Sequence, residues 1–284
     1  MSPTPRSRSS FARNSRGESG TTPPSTIRQR RGRGGARMQE DYYIGAYWGP
    51  RMETALECAR RAELFLRGLA RCEPSFSQWY RGGRGAPRGL PGHPVSPAVE
   101  ELEKLLLISR SRTDVGKEII ERLGFSRIMW NAKEEATDLH LTCGGYSPWG
   151  GPNSCLLKPP RQGLVRERLL RVPVLAEVLT CMATAWDPDF AMASSSEMVE
   201  LVEKRGSEVR MGWLTYLSRR LGKLPPLPAP VRIEPVGTLG WLLVLSPEPM
   251  TASNPEHVAY TARVRELLDR AGLIERPQPG PATE

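Results

Sequence analysis

Residues 42–48, Tyr-Tyr-Ile-Gly-Ala-Tyr-Trp, place the tightest limit on what this chain can fold into. In an extended strand successive side chains point to opposite faces. Ile44, Ala46 and Trp48 then share one face, and Tyr43, Gly45 and Tyr47 the other. Both faces carry bulk, so the stretch reads as a central or near-central strand covered on both sides. Gly45 lets a neighbouring side chain approach the backbone. Gly49-Pro50 ends the ladder, and Arg51 and Glu53 stand where they can orient the next element. The stretch is scaffold, with Tyr47 or Trp48 as the residue that reaches a surface.

The forty residues before it are of another kind. Residues 1–38 hold nine arginines and one acid, Glu18, a net charge of +8. The whole chain is +9, which leaves +1 on residues 39–284. The basic isoelectric point near 9.6 thus describes the tail and not the remainder. A tail of Arg, Ser, Gly and Pro with almost no large apolar residues cannot offset its chain entropy by burial. We expect residues 1–38 to be disordered, with "RQRRGRGGAR" as a segment able to touch RNA or an acidic partner. Met38 is an alternative start. Residues 277–284 are expected to be a flexible C-terminus.

Between these ends the periodicity alternates. Cys58, Ala62, Phe65, Leu69 and Cys72 recur at helical spacing over about 52–72. "FSQWYRGGRGAPRGLPGHPV" reads as a loop. A short helix with Val99, Leu102, Leu105 and Leu106 follows Ser96-Pro97. "TDVGKEIIERLG" reads as a further helix closed by Gly124. From 125 the period becomes two: "FSRIMWN" and "DLHLTCGGY" are expected to pair around the acidic loop "AKEEAT", with Leu139 and Leu141 inward and His140 outward. "NSCLLK" is a third strand. "VPVLAEVLTCMATAW" is an apolar helix, "FAMASS" a strand, 195–204 an acidic helix. Strands follow at "VRIEPV" and "TLGWLLVLS". The last helix begins at Asn254-Pro255-Glu256, buries Tyr260, Val264, Leu267, Leu268 and Ala271, and ends at Gly272. About seven strands and five or six helices in mixed order predict one α+β domain over 39–276, a mixed sheet with helices packed on it.

No pattern announces an enzyme. The three histidines, His93, His140 and His257, have no metal-ligand spacing, and no nucleophile elbow, P-loop or dinucleotide fingerprint is present. A small hydrolase would have to join Asp187 or Asp189 of "WDPDF" to His140 or His257; two acids around a proline at a helix end are more often cap and turn residues. The five cysteines are odd in number, scattered, and form no C-x-x-C pair, which suits free thiols in a reducing cytoplasm. No cofactor or metal is expected. The features that suit a protein partner are the acids Glu134, Glu135 and Asp138 on the hairpin, which could mimic phosphate in a basic cleft, Asp187 and Asp189, and the aromatics Tyr146 and Trp149 in a glycine-rich loop. These seven residues are the candidate contact set.

Taken in order, "YIGAYWGPR", "ECARRAELFL", "WYRGG", "DVGKEIIERLGF", "TCGGYS", "AWDPDFAMASS", "GWLTYLS" and "NPEHVAYTARV" resemble the bacterial immunity protein 52 family of polymorphic toxin systems. The resemblance covers about 40–273, and the tail lies outside it. It implies a cytoplasmic α+β protein encoded beside a toxin, usually one with a restriction-endonuclease-like nuclease domain, which it blocks by tight binding. It carries no contact residue over to this chain. The other reading of the same residues is a nucleic-acid adaptor that works through the arginine tail.

Overall fold

The computed structural model describes residues 39–83, 88, 90–147, 151–203 and 209–274. The expected tail at 1–38, the end at 277–284 and Trp149 lie outside the described residues. Among the described residues ten strands form one sheet: β1 Tyr42–Trp48, β2 Trp79–Arg81, β3 His93–Val95, β4 Phe125–Trp130, β5 Asp138–Cys143, β6 Asn153–Lys158, β7 Phe190–Ser195, β8 Leu214–Ser218, β9 Arg232–Val236 and β10 Gly240–Val244. Their order is β3-β2-β4-β5-β6-β1-β7-β8-β10-β9. Six described helices accompany them: α1 Ala55–Cys72, α2 Val99–Leu107, α3 Leu164–Leu169, α4 Val172–Trp186, α5 Ser196–Val202 and α6 Pro255–Arg270.

The α+β class is as the sequence predicts. The sheet is antiparallel at every pairing instead of mixed. Short hairpins explain much of this, since a two-to-seven-residue connection can only return antiparallel; β4–β5 and β9–β10 are such pairs.

β1 is central, between β6 and β7. Its Ile44, Ala46 and Trp48 face is buried, and Trp48 stacks on Trp186 of α4 at 5.4 Å, with Phe65 of α1 edge-on to Trp186 at 6.2 Å. Thr54 and Glu57 start α1 with a reciprocal capping box. α4 is apolar on most sides because it is a core helix, buried at Leu175, Val178, Leu179, Met182, Ala183 and Trp186. The expected role of Arg51 and Glu53 takes a specific form. Arg51 Nη2 donates to the Trp186 carbonyl at 2.9 Å and Arg61 Nη1 to that of Ala185 at 2.9 Å. Glu53 joins both arginines, at 3.0 and 2.6 Å. Two cations thus close the negative end of α4, where the last carbonyls lack helical partners.

Three expectations are corrected. "TDVGKEIIERLG" is not a helix: Arg112 bridges Ile119, and only Glu121–Leu123 makes a 3-10 turn. Thr113 holds its own turn, its hydroxyl accepting from the Glu118 amide at 3.1 Å, and Gly116 and Lys117 take positive φ. Side-chain bonds of this kind compete with the helix. The glycine-rich loop contains β2 and β3, whose Trp79 and Val95 are buried partners too few to show a period. Ala271, just past the end of α6, is exposed, while Thr261 and Arg265 on the helix are buried, Arg265 against Glu203 at 3.1 Å.

Candidate functional site

The strand register divides the sheet surface into two unlike faces. One holds Leu139, Leu141, Cys143, Cys155 and Leu157 with Ile44, Ala46 and Trp48, all buried beneath the helices. The other face of β4, β5, β6 and β1 remains open to solvent, which is where expectation and structure part for Tyr43–Tyr47. No described helix covers it, because α1, α2 and α4 pack together on the first face. Tyr47 reaches this surface half-buried, whereas Trp48 is in the core.

Across that face the register sets three rows. Ile128 lies opposite His140, His140 opposite Leu156, and Leu156 opposite Gly45. This central row is apolar at its ends, and Ile128 is 51% exposed. A Cβ on Gly45 would stand 2.7 Å from Leu156 and 2.9 Å from the Tyr47 ring, so the glycine is what lets both lean inward. One flanking row is Ser126, Thr142 and Ser154, ending on Tyr47. The other contains Trp130, Asp138 and Lys158. Tyr47 stacks on Phe190 at 4.9 Å, and the Arg210 guanidinium lies 5.7 Å from the Tyr47 ring centre. Burial pushes the Tyr43 and Tyr47 hydroxyls up, so both stay neutral; Arg210 and the bond between the two hydroxyls modify this. His140 is pushed below its ordinary value, by partial burial first and by Lys158 second, with Asp138 opposing. The centre of the face is therefore uncharged at neutral pH.

A pocket of about 400 Å³ opens where this face meets the starts of β1 and β5. Tyr43, Asp138, Lys158, Asp41 and Arg161 line it, and Arg161 pairs with Asp41 at 2.9 Å.

The six described candidate contact residues do not gather in one place. Glu134, Glu135 and Asp138 lie at the end of the sheet where Trp130 meets Asp138; Tyr146, Asp187 and Asp189 lie at the opposite end, where Phe125 meets Cys143 and Tyr47 meets Phe190. Six-residue strands separate the ends by roughly 20 Å. Several of the acids also have structural work. Glu135 Oε2 accepts from the Val165 amide at 2.8 Å and so caps α3, with Gly163 leaving the space its carboxylate fills. Asp187 ends α4 in the left-handed conformation and accepts from Arg220 at 2.6 Å. Asp189 accepts from the Gly49 amide at 3.1 Å and lies 3.5 Å from Arg220. Glu134 is exposed, Asp138 half-buried and Tyr146 37% exposed. Sequence reasoning missed the open face itself. Its signal was the outward half of each alternation, Ile128, His140, Leu156, Tyr43 and Tyr47, in strands whose order in space the sequence does not state.

The capping role makes a prediction. Glu135→Ala lowers stability by about 1 kcal/mol, the usual loss of a helix N-terminal acceptor. Urea denaturation reads it as a lower midpoint at unchanged slope; an unaltered midpoint would mean the cap carries no weight.

His257 Nδ1 accepts from the Thr251 amide at 2.9 Å, which holds the ring in a turn. Among the described residues no three His, Cys, Asp or Glu side chains are grouped to hold a metal, and no helix is long and apolar enough to cross a membrane. Comparison with known proteins finds a family model described as Immunity protein 52 matching residues 40–277. The comparison with curated proteins returns no match. Among solved structures, a protein described as Pseudomonas aeruginosa T6SS protein PA0821 is similar at 12% identity over 82% of this chain and 75% of that one, with a TM-score of 0.45.

Proposed function

This chain belongs to the immunity protein 52 family, and from that premise we propose that it binds a cognate polymorphic toxin and neutralises it by occupancy. The reading rests on the family match across residues 40–277, which spans every described element but the first residue. The family resemblance extends it to a toxin encoded by a neighbouring gene, a nuclease with a restriction-endonuclease-like domain, met in the cytoplasm. An inhibitor of an intracellular nuclease must persist through growth. Nanomolar binding corresponds to about −12 kcal/mol.

The contact surface in this proposal is the open face of β4-β5-β6-β1. An apolar centre of Ile128 and Leu156 within rows of Ser, Thr, Asp and Lys has the core-and-rim composition of protein interfaces. Tyr43, Tyr47 and Arg210 at its border are the residue types that anchor them. Four strands about 4.8 Å apart and roughly 20 Å long offer some 400 Å². A specific interface takes about 800 Å² from each partner. Loops at both strand ends must then contribute, which is where Glu134 and Tyr146 stand. Glu134 and Asp138, the two acids of the set with no described hydrogen bond or ion pair from their carboxylates, supply the phosphate-like charge for a basic cleft.

The test is survival. Co-expression of the full chain, and of residues 39–284, with the adjacent toxin is expected to protect cells equally. Protection lost on removing the tail alone would move the assignment to the nucleic-acid adaptor. Glu134→Lys is expected to weaken the complex about tenfold, near 1.4 kcal/mol. Unchanged affinity by calorimetry would remove the phosphate mimic and leave the family intact.

A further inference from the structure

Two of the five cysteines face each other across the helical layer. Cys72 ends α1 and Cys181 lies within α4, and their Sγ atoms are 3.5 Å apart. Both are half-buried, within reach of small solutes, whereas Cys58, Cys143 and Cys155 are sealed in the core. We propose that Cys72 and Cys181 form an oxidant-sensing thiol pair, which peroxide converts to a disulfide that staples α1 to α4.

The geometry is close to what the bond requires. A disulfide places the sulfurs about 2.05 Å apart, so each must move by under an ångström from its present position. Space for that movement comes from Gly68, one turn before Cys72. A Cβ there would stand 2.9 Å from the Cys181 sulfur. Cys72 Sγ also donates to the Gly68 carbonyl at 3.4 Å, which keeps it turned toward the partner. The charges nearby are Arg71, one residue from Cys72, and Glu177, one turn before Cys181.

The two sulfurs have different parts. The contact between the two sulfurs lowers the Cys181 thiol, with Arg71 helping and burial opposing. The same contact and burial raise that of Cys72. Thiolate is the reacting form, so Cys181 attacks first. Its sulfur forms a bond to one peroxide oxygen, the O–O bond breaks, and hydroxide leaves to take up a proton as water. Cys72 sulfur then attacks the sulfenic sulfur, the S–S bond forms, the S–O bond breaks, and the departing hydroxide takes the Cys72 proton as a second water. Two thiols give two electrons to one peroxide.

Treating the full-length, reduced protein with hydrogen peroxide is expected to lower its intact mass by about 2 Da, as loss of two hydrogens requires. Peptide mapping joins the Cys72 and Cys181 peptides, the thermal midpoint rises, and dithiothreitol reverses both. Cys72→Ser and Cys181→Ser keep the volume, and each abolishes the link and the rise. Gly68→Ala slows the link by filling the space beneath Cys181. Stepwise oxygen addition to Cys181 without a link, or a link to one of the three core cysteines, would overturn the assignment.

Discussion

Replacing Trp186 with alanine lowers the unfolding free energy by about 3–5 kcal/mol, the range for deleting a large aromatic from a packed core. The ring is fully buried and joins three elements: it stacks on Trp48 of β1 and meets Phe65 of α1 edge-on. Whatever fills the space cannot replace both contacts. Because domains of this size have only about 5–15 kcal/mol to lose, the variant should sit near the edge of folding at 37 °C. Urea titration reads the change as a lower midpoint at constant slope. A loss under about 1 kcal/mol would mean that the helical layer relaxes around the cavity and that this aromatic cluster is not the anchor described.

The second large effect concerns binding. Ile128→Asp with Leu156→Asp puts two charges into the apolar centre of the open face and is expected to weaken the toxin complex by a hundredfold or more, about 2.7 kcal/mol. Ile128 is 51% exposed, so Ile128→Asp alone tests the surface without touching the core. Calorimetry measures affinity and circular dichroism confirms the fold. Full affinity in a folded double variant places the toxin elsewhere. A concentration-dependent dimer of the wild type that the same substitutions abolish would give the face to a second copy of this chain.

The elements that the sequence made legible are those whose signal is local. β1, α1, α4 and α6 each carry a run of apolar residues at one period, with a stop beside it such as Gly49-Pro50 or the Asn254 cap, which accepts from the Glu256 amide at 3.0 Å. Leu139 and Leu141 pointed inward and His140 outward for the same reason. Where the signal is not local, reading failed. The 113–124 segment has helical apolar spacing, yet one threonine hydroxyl and one glycine decide it. β2 is three residues long and acquires meaning only from β3 and β4 beside it. The candidate site divided the same way. The acids were plain in sequence, but Glu135 meets Val165, 30 residues on, and Asp187 meets Arg220, 33 residues on. No spacing rule anticipates such bonds, and they turn part of a charged surface into internal fastening.

The central position of β1 has a consequence for how the protein is made. Its two neighbours in the sheet are residues 153–158 and 190–195, so the strand synthesised first among the ten has nothing to pair with until more than a hundred further residues exist. Ribosomes add about 5–20 residues per second, which leaves an aromatic, unpaired segment waiting on the order of ten seconds in each nascent chain. Even after β7 has emerged, β8 and β10 are still to come, so the centre of the sheet closes before its far edge exists.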